Sequence, residues 1–397
     1  MKKKLLIVAY SFPPLNSIAS KRWSEMIPEL EKEFDVFVFT QNSTGDLDVL
    51  LDEKNICRVG EMKNLLIKQT VYKRSFIHSI ISLFTKNMRT VDSTIFSWYF
   101  KHKNSFNEYF DLINPDVILT TINPFPTAFF GLEAKKRKSN VKWVVDIRDS
   151  ASLYNKKDKN IFTHFIDTTI DKRTLKNADL IFTVSDTLSN ILSTFYNKNV
   201  NTVYNGFYKF TQLNYIKEDS IATLYYAGRI YKHREKAFFL LVDAIKNIEN
   251  IQFNIRLLGD TNQHNEYTKF LTTQNIKNVN IQKPVDNKTI LKEEKDADIL
   301  ILLEELNKND EIGKGTLTGK LFEYLSILKP ILVICRADSD IKIILEKTKS
   351  GNICETKNEI NDFLNKYNNI EPLKDEISFY SRSEQSKRVI KLIKELF

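Results

Sequence analysis

Short apolar segments alternate with longer amphipathic segments along most of the chain. In the first half the apolar segments are residues 4–10, 36–40, 117–121, 143–147, 180–184 and 202–204. In the second half they are residues 224–227, 253–258, 279–282, 299–303 and 331–334. Strands that are apolar on both faces and are separated by helices are typical of parallel sheets covered on both sides. The pattern therefore predicts an α/β fold.

The strands and helices form two series, each of domain size, which predicts two Rossmann-like domains. Segments of helical length are residues 22–34, 162–176, 236–248 and 319–328. A polar stretch follows Asn205-Gly206, so we place the boundary there. The predicted domains are residues 1–205 and 206–380, and residues 381–397 form a C-terminal helix with apolar positions at helical spacing.

Residues 63–103 interrupt the alternation. Apolar clusters are interleaved here with the basic residues Lys68, Lys73, Arg74, Lys86, Arg89, Lys101 and Lys103. A basic amphipathic stretch of this kind can lie on an anionic membrane surface. The same pattern is also typical of a helical insertion that packs on its own domain and leaves its basic side chains in water. The sequence leaves both interpretations open.

Composition narrows the classes of function. The chain of 397 residues is 42% hydrophobic and 27% charged, as in soluble globular proteins, and it has no uncharged apolar run long enough to span a membrane. Its three cysteines are widely spaced, which argues against a disulfide framework and a zinc site and favours a reducing cytoplasm. The net charge of +9 suits phosphorylated ligands or an anionic membrane, but it also fits a chain rich in lysine throughout. No nucleic-acid-binding motif is present, so nucleic acid is not an expected partner.

A glycine-rich turn in the second half leads into a predicted helix at residues 313–325. Free N–H groups at a helix N-terminus attract anions, and Lys320 adds a positive charge in the first turn. Glu323 shares its face and can accept hydrogen bonds from the two hydroxyls of a ribose. A capped helix with a surface Lys–Glu pair would show the same pattern.

Charged residues also follow a predicted strand of the first half, as Asp146-Ile147-Arg148-Asp149. Open α/β sheets bind ligands at such strand ends, where a carboxylate can orient a hydroxyl or act as a base. Alternatively, Asp149 caps a helix and Arg148 forms a salt bridge. There is no dinucleotide fingerprint, Walker loop, HExxH or GxSxG motif, which argues against dehydrogenases, NTPases, zinc proteases and serine hydrolases.

The segment Thr318-Gly319-Lys320-Leu321-Phe322-Glu323-Tyr324-Leu325, followed by Lys329-Pro330, resembles the donor-binding signature of retaining glycosyltransferases of family 4, which have the GT-B fold. Further similar segments occur in the family's order at residues 12–14, 20–23, 146–149, 178–185, 203–207 and 225–231. The resemblance therefore extends from Phe12 to the C-terminus. It implies two Rossmann-like domains facing across a cleft, with the last helix crossing back to the first domain.

The resemblance also assigns site residues. Glu323 would hold the donor ribose, and Thr318, Gly319 and Lys320 would lie beside the diphosphate. Arg229 and Arg234 would be diphosphate ligands, with Lys236 as an alternative to Arg234. Expected acceptor-side residues are Pro14, Asn16 and Arg22 of the first loop and helix, and expected catalytic residues are Asp146, Arg148 and Asp149. Because basic groups balance the diphosphate charge, no metal and no cofactor are expected.

The chain departs from the family pattern at three places. Gly315 stands where the family often has a glutamate eight residues before Glu323, and Glu311 is the candidate replacement. The first loop lacks the familiar pair of glycines, and Tyr208 stands where an aspartate is frequent.

The resemblance implies a metal-independent, retaining transfer of a sugar from a nucleotide-sugar donor to a saccharide or polyprenyl-diphosphate-linked acceptor. It suggests a role in surface polysaccharide biosynthesis, such as capsule or lipopolysaccharide O-antigen, by a cytoplasmic enzyme peripheral on the inner face of the membrane. One alternative is a nucleotide-sugar 2-epimerase of the same architecture. Another is a non-catalytic relative that binds nucleotide sugars, which the missing glutamate at position 315 favours.

Overall fold

The computed structural model describes residues 2–63, 93–122, 124–148, 152–153, 161–211, 221–259 and 261–397. The chain divides into two compact units. The first unit comprises Met1–Tyr204 and Arg382–Phe397, and the second comprises Asn205–Ser381. Each unit is built on one parallel sheet with helices packed against it.

The first unit has a seven-stranded sheet in the order β3-β2-β1-β4-β5-β6-β7. Its strands are β1 Lys3–Ala9, β2 Phe34–Ser43, β3 Ile56–Lys63, β4 Val117–Ile122, β5 Lys142–Ile147, β6 Leu180–Thr183 and β7 Val200–Thr202. Its helices are α1 Ile18–Ser24, α2 Ile27–Glu33, α3 Ser93–Ile113, α4 Ala128–Arg137, α5 Ile161–Leu175 and α6 Asp186–Tyr196, and α15 Arg382–Lys394 at the C-terminus. Short 3-10 turns lie at Glu53–Asn55 and Phe125–Thr127.

Successive residues of β1 face opposite sides of the sheet, as strand geometry requires. Leu6 and Val8 pack with Phe130 in one apolar layer. Leu5 and Ile7 pack in the other layer with Trp23, Val389 and Ile393. The C-terminal helix α15 is therefore part of the core of the first unit, and its Arg382 also pairs with Glu25 at 3.1 Å.

The second unit has a six-stranded sheet in the order β10-β9-β8-β11-β12-β13. Its strands are β8 Ala222–Gly228, β9 Ile251–Leu257, β10 Val279–Gln282, β11 Ile299–Leu303, β12 Ile331–Ile334 and β13 Gly351–Cys354. Its helices are α7 Glu235–Ile245, α8 Thr261–Thr273, α9 Asn287–Asp296, α10 Glu311–Lys314, α11 Gly319–Ile327, α12 Asp340–Thr348, α13 Lys357–Leu364 and α14 Lys374–Ser378. Its 3-10 turns lie at Lys232–Arg234 and Tyr367–Asn369.

The sheets confirm the predicted α/β fold with two Rossmann-like domains, but three local predictions need correction. The strand predicted at residues 202–204 is wrong, because β7 spans Val200–Thr202. The single helix predicted at residues 22–34 is two short helices, and Pro28 lies in the first turn of the second, where proline is tolerated. The edge strands β3 and β13 were missed because their polar residues hide the apolar pattern.

The basic segment at residues 63–103 falls mostly outside the described residues, which resume at α3. Its two interpretations therefore stay open. Within the described part of the chain, no helix is both long enough and apolar enough to cross a membrane.

Candidate functional site

The second sheet has one position that favours ligand binding. Open parallel sheets bind ligands at the carboxyl ends of the strands, where the strand order reverses direction. In this sheet the reversal lies between β8 and β11. Gly228 ends β8, and Glu304 follows β11 directly. The residues around these two strand ends therefore form the candidate site of the second unit.

The N-terminus of α11 lies against the end of β8. Lys320, in the first turn of α11, donates a hydrogen bond from Nζ to the carbonyl oxygen of Ala227. Its ammonium also lies 4.3 Å from the centroid of the Tyr226 ring. Gly228 has a φ of +153°, and a Cβ at this position would collide with the Lys320 ammonium. The positive φ disfavours any other residue here, and the missing Cβ leaves room for the ammonium group.

Arg234 and Glu304 form an ion pair at the same strand ends. Arg234 Nη2 and Glu304 Oε2 are 2.7 Å apart, and the side chains are only 15% and 8% exposed. Arg234 is predicted from the sequence, whereas Glu304 is not. Its position directly after the buried strand at residues 299–303 was the available signal, because ligand sites gather at such strand ends.

Burial shifts the pKa values of Glu304 and Lys320 in opposite directions, because it favours the neutral form of each side chain. Burial raises the pKa of Glu304 to about 7, although the charges of Arg234 and Lys320 act in the opposite direction. Burial also lowers the pKa of Lys320 to about 8, and the neighbouring Arg234 lowers it further. At neutral pH two cations face one partly protonated carboxyl group, so the cluster favours an added anion.

Arg336 holds the loop that follows Glu304. It is buried and donates hydrogen bonds to the carbonyl oxygens of Asn307 at 3.1 Å, Lys308 at 3.2 Å and Asp310 at 2.5 Å. Its guanidinium also pairs with Asp338 at 2.6 Å. The loop between β11 and α10 is thus fixed to the end of β12.

The remaining predicted donor residues lie around the cluster. Thr318 is the N-cap of α11, and Gly319 is its first residue. Glu323 is exposed one turn later and favours the charged form of Lys320. Arg229 is exposed on the segment after β8, Lys236 is exposed in the first turn of α7, and Glu311 is exposed on α10. The structure thus joins Arg234, Lys320 and Thr318 with Glu304 and leaves Glu311 on the surface.

In the first unit, Asp146 at the end of β5 is fully buried. Its carboxylate accepts hydrogen bonds from Arg22 Nη2 at 2.7 Å and Nε at 2.9 Å, from Trp23 Nε1 at 2.9 Å and from the Thr121 hydroxyl at 3.2 Å. Burial alone would raise the pKa of Asp146, but the charge and hydrogen bonds of Arg22 outweigh burial and lower it. Asp146 is therefore an ionised carboxylate enclosed by donors.

Arg22 also binds the segment that follows β7, at the end of the first domain. Besides Asp146, it donates to the carbonyl oxygens of Tyr204 at 3.1 Å and Val203 at 3.0 Å. Both Arg22 and Asp146 are fully buried. This geometry favours a positioning role for the pair over the direct substrate contact expected from the sequence. Arg148 follows β5 and is partly exposed, whereas Asp149 lies outside the described residues.

The first loop is held by the segment after β2. Asn16 Nδ2 donates to Asp46 Oδ1 at 3.0 Å, and the carbonyl oxygen of Pro14 accepts from the Leu47 amide at 3.0 Å. Gly45 lies so close to the Pro14 carbonyl that a Cβ would overlap it. The backbone of the first loop thus lies close to a glycine of the neighbouring loop, Gly45. The sequence of the first loop does not by itself predict this contact.

Two further observations concern the chemistry of the site. No group of three His, Cys, Asp or Glu side chains within the described ranges has the placement of a metal site. All three cysteines have free thiols.

The structure is similar to sucrose-phosphate synthase from Thermosynechococcus elongatus, with a TM-score of 0.65 and 12% identity over 100% of this chain and 99% of that chain. It is similar to the apo form of the lipopolysaccharide outer core galactosyltransferase WaaB, with a TM-score of 0.63 and 13% identity over 99% and 100% of the two chains. It also resembles UDP-GlcNAc 2-epimerase from Methanocaldococcus jannaschii, with a TM-score of 0.54 and 14% identity over 99% of each chain.

No protein-family model matches the sequence, and no curated protein is similar to it in sequence. At 12–14% identity, the structural likeness establishes the fold alone. It confirms the predicted α/β fold of two Rossmann-like domains.

The buried Arg22–Asp146 pair generates a stability prediction. We expect Asp146→Asn to destabilise the first unit by about 3–5 kcal/mol, because it leaves the Arg22 charge buried without its counter-ion. The three tryptophans, Trp23, Trp98 and Trp143, all belong to this unit. Urea unfolding followed by tryptophan fluorescence therefore reports on the unit that contains the pair.

The matched control is Asp111→Asn, which removes the carboxylate of an exposed pair with Arg137 and should change stability far less than Asp146→Asn does. Because the pKa of Asp146 is lowered on folding, its contribution is present at neutral pH and is lost as the pH falls through the folded-state pKa. Equal unfolding midpoints for the two variants would contradict a positioning role for Asp146.

Proposed function

We propose that the protein is a glycosyltransferase that binds a nucleotide-sugar donor at the carboxyl end of its second sheet. The observation that carries the proposal is the cationic cluster of Arg234 and Lys320 beside the N-terminus of α11, where the strand order reverses. A diphosphate is the anion that suits two cations and free helix N–H groups at once.

The same cluster suits the leaving group of a glycosyl transfer. As the bond between the sugar and the diphosphate breaks, negative charge accumulates on the phosphate oxygens. Preorganised cations and N–H groups stabilise this charge without a metal ion. In this proposal Arg234, Lys320 and Gly319 contact the diphosphate, Arg229 adds charge from the same loop, and Glu323 accepts hydrogen bonds from the ribose.

The acceptor would bind to the first unit. Pro14 and Asn16 follow β1, and Arg148 follows β5, so all three lie beyond carboxyl ends of the first sheet. Asp149 is proposed to orient the acceptor hydroxyl or to act as its base. The buried pair of Arg22 and Asp146 would hold the end of β5 in position. The family resemblance suggests retention of configuration, with a donor phosphate oxygen accepting the proton of the acceptor.

The biological setting proposed from the same resemblance is surface polysaccharide biosynthesis with a lipid-linked acceptor on the cytoplasmic face of the membrane. The shared fold with a lipopolysaccharide galactosyltransferase is compatible with this setting. The fold is also shared with a UDP-GlcNAc 2-epimerase, which supports the isomerase as the second candidate function.

The test is a thermal-shift screen of nucleoside diphosphates and nucleotide sugars, followed by product analysis with and without short saccharide acceptors. The proposed metal-independent glycosyltransferase would release nucleoside diphosphate and extend the acceptor, and its activity would survive EDTA. An epimerase converts the donor when no acceptor is present. Donor binding without any turnover would indicate a non-catalytic nucleotide-sugar-binding protein.

Glu323 provides the sharpest single substitution. We expect Glu323→Ala to weaken donor binding about ten- to a hundredfold, because hydrogen bonds to a charged group contribute about 1.5–3 kcal/mol. The side chain is exposed, so the fold should survive. The measurement is the donor dissociation constant by isothermal titration calorimetry.

A matched control is Glu346→Ala, which removes an exposed carboxylate of the same type from α12. The control should leave donor affinity unchanged. A folded Glu323→Ala protein with wild-type donor affinity and turnover would remove Glu323 from the site.

The membrane proposal rests on residues 63–103 and is tested separately. Each basic residue near an anionic surface contributes about 1 kcal/mol, and salt screens this attraction but not the burial of apolar side chains. We expect the protein to bind anionic vesicles, and to bind them less, but still measurably, at high salt. The substituted residues are Lys68, Lys73, Arg74, Lys86 and Arg89, each changed to glutamine, and all lie outside the described residues.

Vesicle cosedimentation should show weaker binding for this variant while turnover of a soluble acceptor stays nearly intact. The control makes the same charge change at exposed lysines of the second unit, namely Lys277, Lys288, Lys292, Lys349 and Lys366. If the wild-type protein ignores anionic vesicles at low salt, the membrane proposal is wrong.

A further inference from the structure

Arg234, a cation of the proposed diphosphate site, already has an anionic partner within the protein. Its Nη2 atom lies 2.7 Å from Glu304 Oε2, and both side chains are largely buried. Glu304 Oε1 and Arg234 Nε are also buried, and neither has a hydrogen-bond partner among the described residues. A phosphate that contacts Arg234 would therefore share the guanidinium with the carboxyl group of Glu304.

The backbone around Glu304 is fixed on both sides. Its amide donates to the carbonyl oxygen of Ile334 at 3.0 Å, which continues the pairing of β11 with β12. The loop that follows is held by the hydrogen bonds of Arg336 to three carbonyl oxygens. The backbone that carries Glu304 is therefore held in place on both sides of the residue.

We propose that Glu304 is a proton-coupled member of the anion site, which neutralises Arg234 when no anion is bound and takes up one proton from solvent when a diphosphate binds. This inference rests on the proposed function, because the diphosphate is that of the nucleotide-sugar donor. The protonated carboxyl group then donates its O–H to a phosphate oxygen. The same side chain thus changes from a competing acceptor into a hydrogen-bond donor.

The physical reason is the high free energy of two negative groups in a buried site. Protonation of Glu304 removes the repulsion without moving the chain. The charged or titratable groups that face Glu304 are Arg234 after β8, Lys320 at the start of α11, Tyr226 on β8 and Cys335 after β12, together with the Thr318 hydroxyl. Burial raises the pKa of Glu304 to about 7, so a proton is available to it at neutral pH.

The sign of the pH dependence follows from linkage. Below the pKa of Glu304 the group is already protonated, and anion binding requires no further proton. As the pH rises through about 7, each binding event must also protonate the carboxylate, so affinity falls. Deprotonation of Lys320 near its pKa of about 8 lowers affinity in the same direction, so the two groups must be separated by substitution.

The test compares wild-type protein with Glu304→Gln, which keeps the shape of the side chain and cannot ionise. The probes are inorganic pyrophosphate and UDP, and the measurement is the dissociation constant at about pH 6 and about pH 8. The titration of the probe cancels in the ratio of wild-type to variant constants at each pH. We expect a ratio of about one at the lower pH and about ten at the higher pH.

Glu346→Gln is the matched control, because it makes the same charge change at an exposed glutamate of the same unit. Its ratio should stay near one at both pH values. A ratio near one for Glu304→Gln at both pH values, with normal binding of UDP, would overturn the proton coupling and leave the proposed function intact. The expected ratio with pyrophosphate, but no binding of any nucleotide, would support the coupled anion site and overturn the glycosyltransferase. Failure of pyrophosphate and of every nucleoside diphosphate in the thermal-shift screen to bind would overturn both proposals.

A second measurement applies if Glu304→Gln does not fold, and it uses Glu304→Ala, which also lacks the carboxyl group. Calorimetric titration of the wild-type protein and of this variant with UDP, in two buffers of different ionisation enthalpy at about pH 7, counts the protons that each takes up. The wild-type protein should take up about half a proton more per bound UDP than the variant, because about half of the Glu304 carboxyl groups are ionised there. Equal uptake by the two proteins would contradict the proposal.

Discussion

Both sheets of this protein are parallel and covered on both faces, and this constraint decides where charge can be placed. Residues along β11 and β12 are entirely apolar and buried, and the last five residues of β1 are as well. Buried charges without partners are too costly for such strands, so ionisable groups appear where the strands end. Asp146 at the end of β5 and Glu304 after β11 both follow this rule. Each is paired with an arginine from another element of its own unit.

The two buried pairs differ in how completely the carboxylate is satisfied. Asp146 accepts hydrogen bonds from Arg22, Trp23 and Thr121, and its pKa is lowered despite burial. Glu304 has a close contact with Arg234 through one oxygen, while its other oxygen has no hydrogen-bond partner in the described chain, and burial raises its pKa. The first pair is therefore a fixed structural contact. The second has the incomplete satisfaction expected of a group that responds to a ligand.

This difference connects the fold with the proposed chemistry. A nucleoside diphosphate needs cations that are held in position before it arrives, because preorganised charges stabilise a leaving group most effectively. Lys320 is held by the Ala227 carbonyl oxygen, and Gly228 leaves the space that its ammonium occupies. The loop after β11 is held by Arg336. The rigid surroundings leave protonation of Glu304 as the simplest response to an added negative charge.

The sequence by itself determined the α/β class, the two Rossmann-like domains and most of the strands, because apolar periodicity is a local property that survives without knowledge of the fold. Motif order also brought Arg234, Thr318 and Lys320 into one candidate site. Only the tertiary structure decided that Glu304 joins them, that Arg22 and Asp146 are buried partners, and that Gly45 makes room for the first loop. These contacts join residues far apart in the chain, such as the pair Arg22 and Asp146 at a separation of 124 positions. Their protonation depends on burial and on neighbouring charges, which exist only after the strands have assembled.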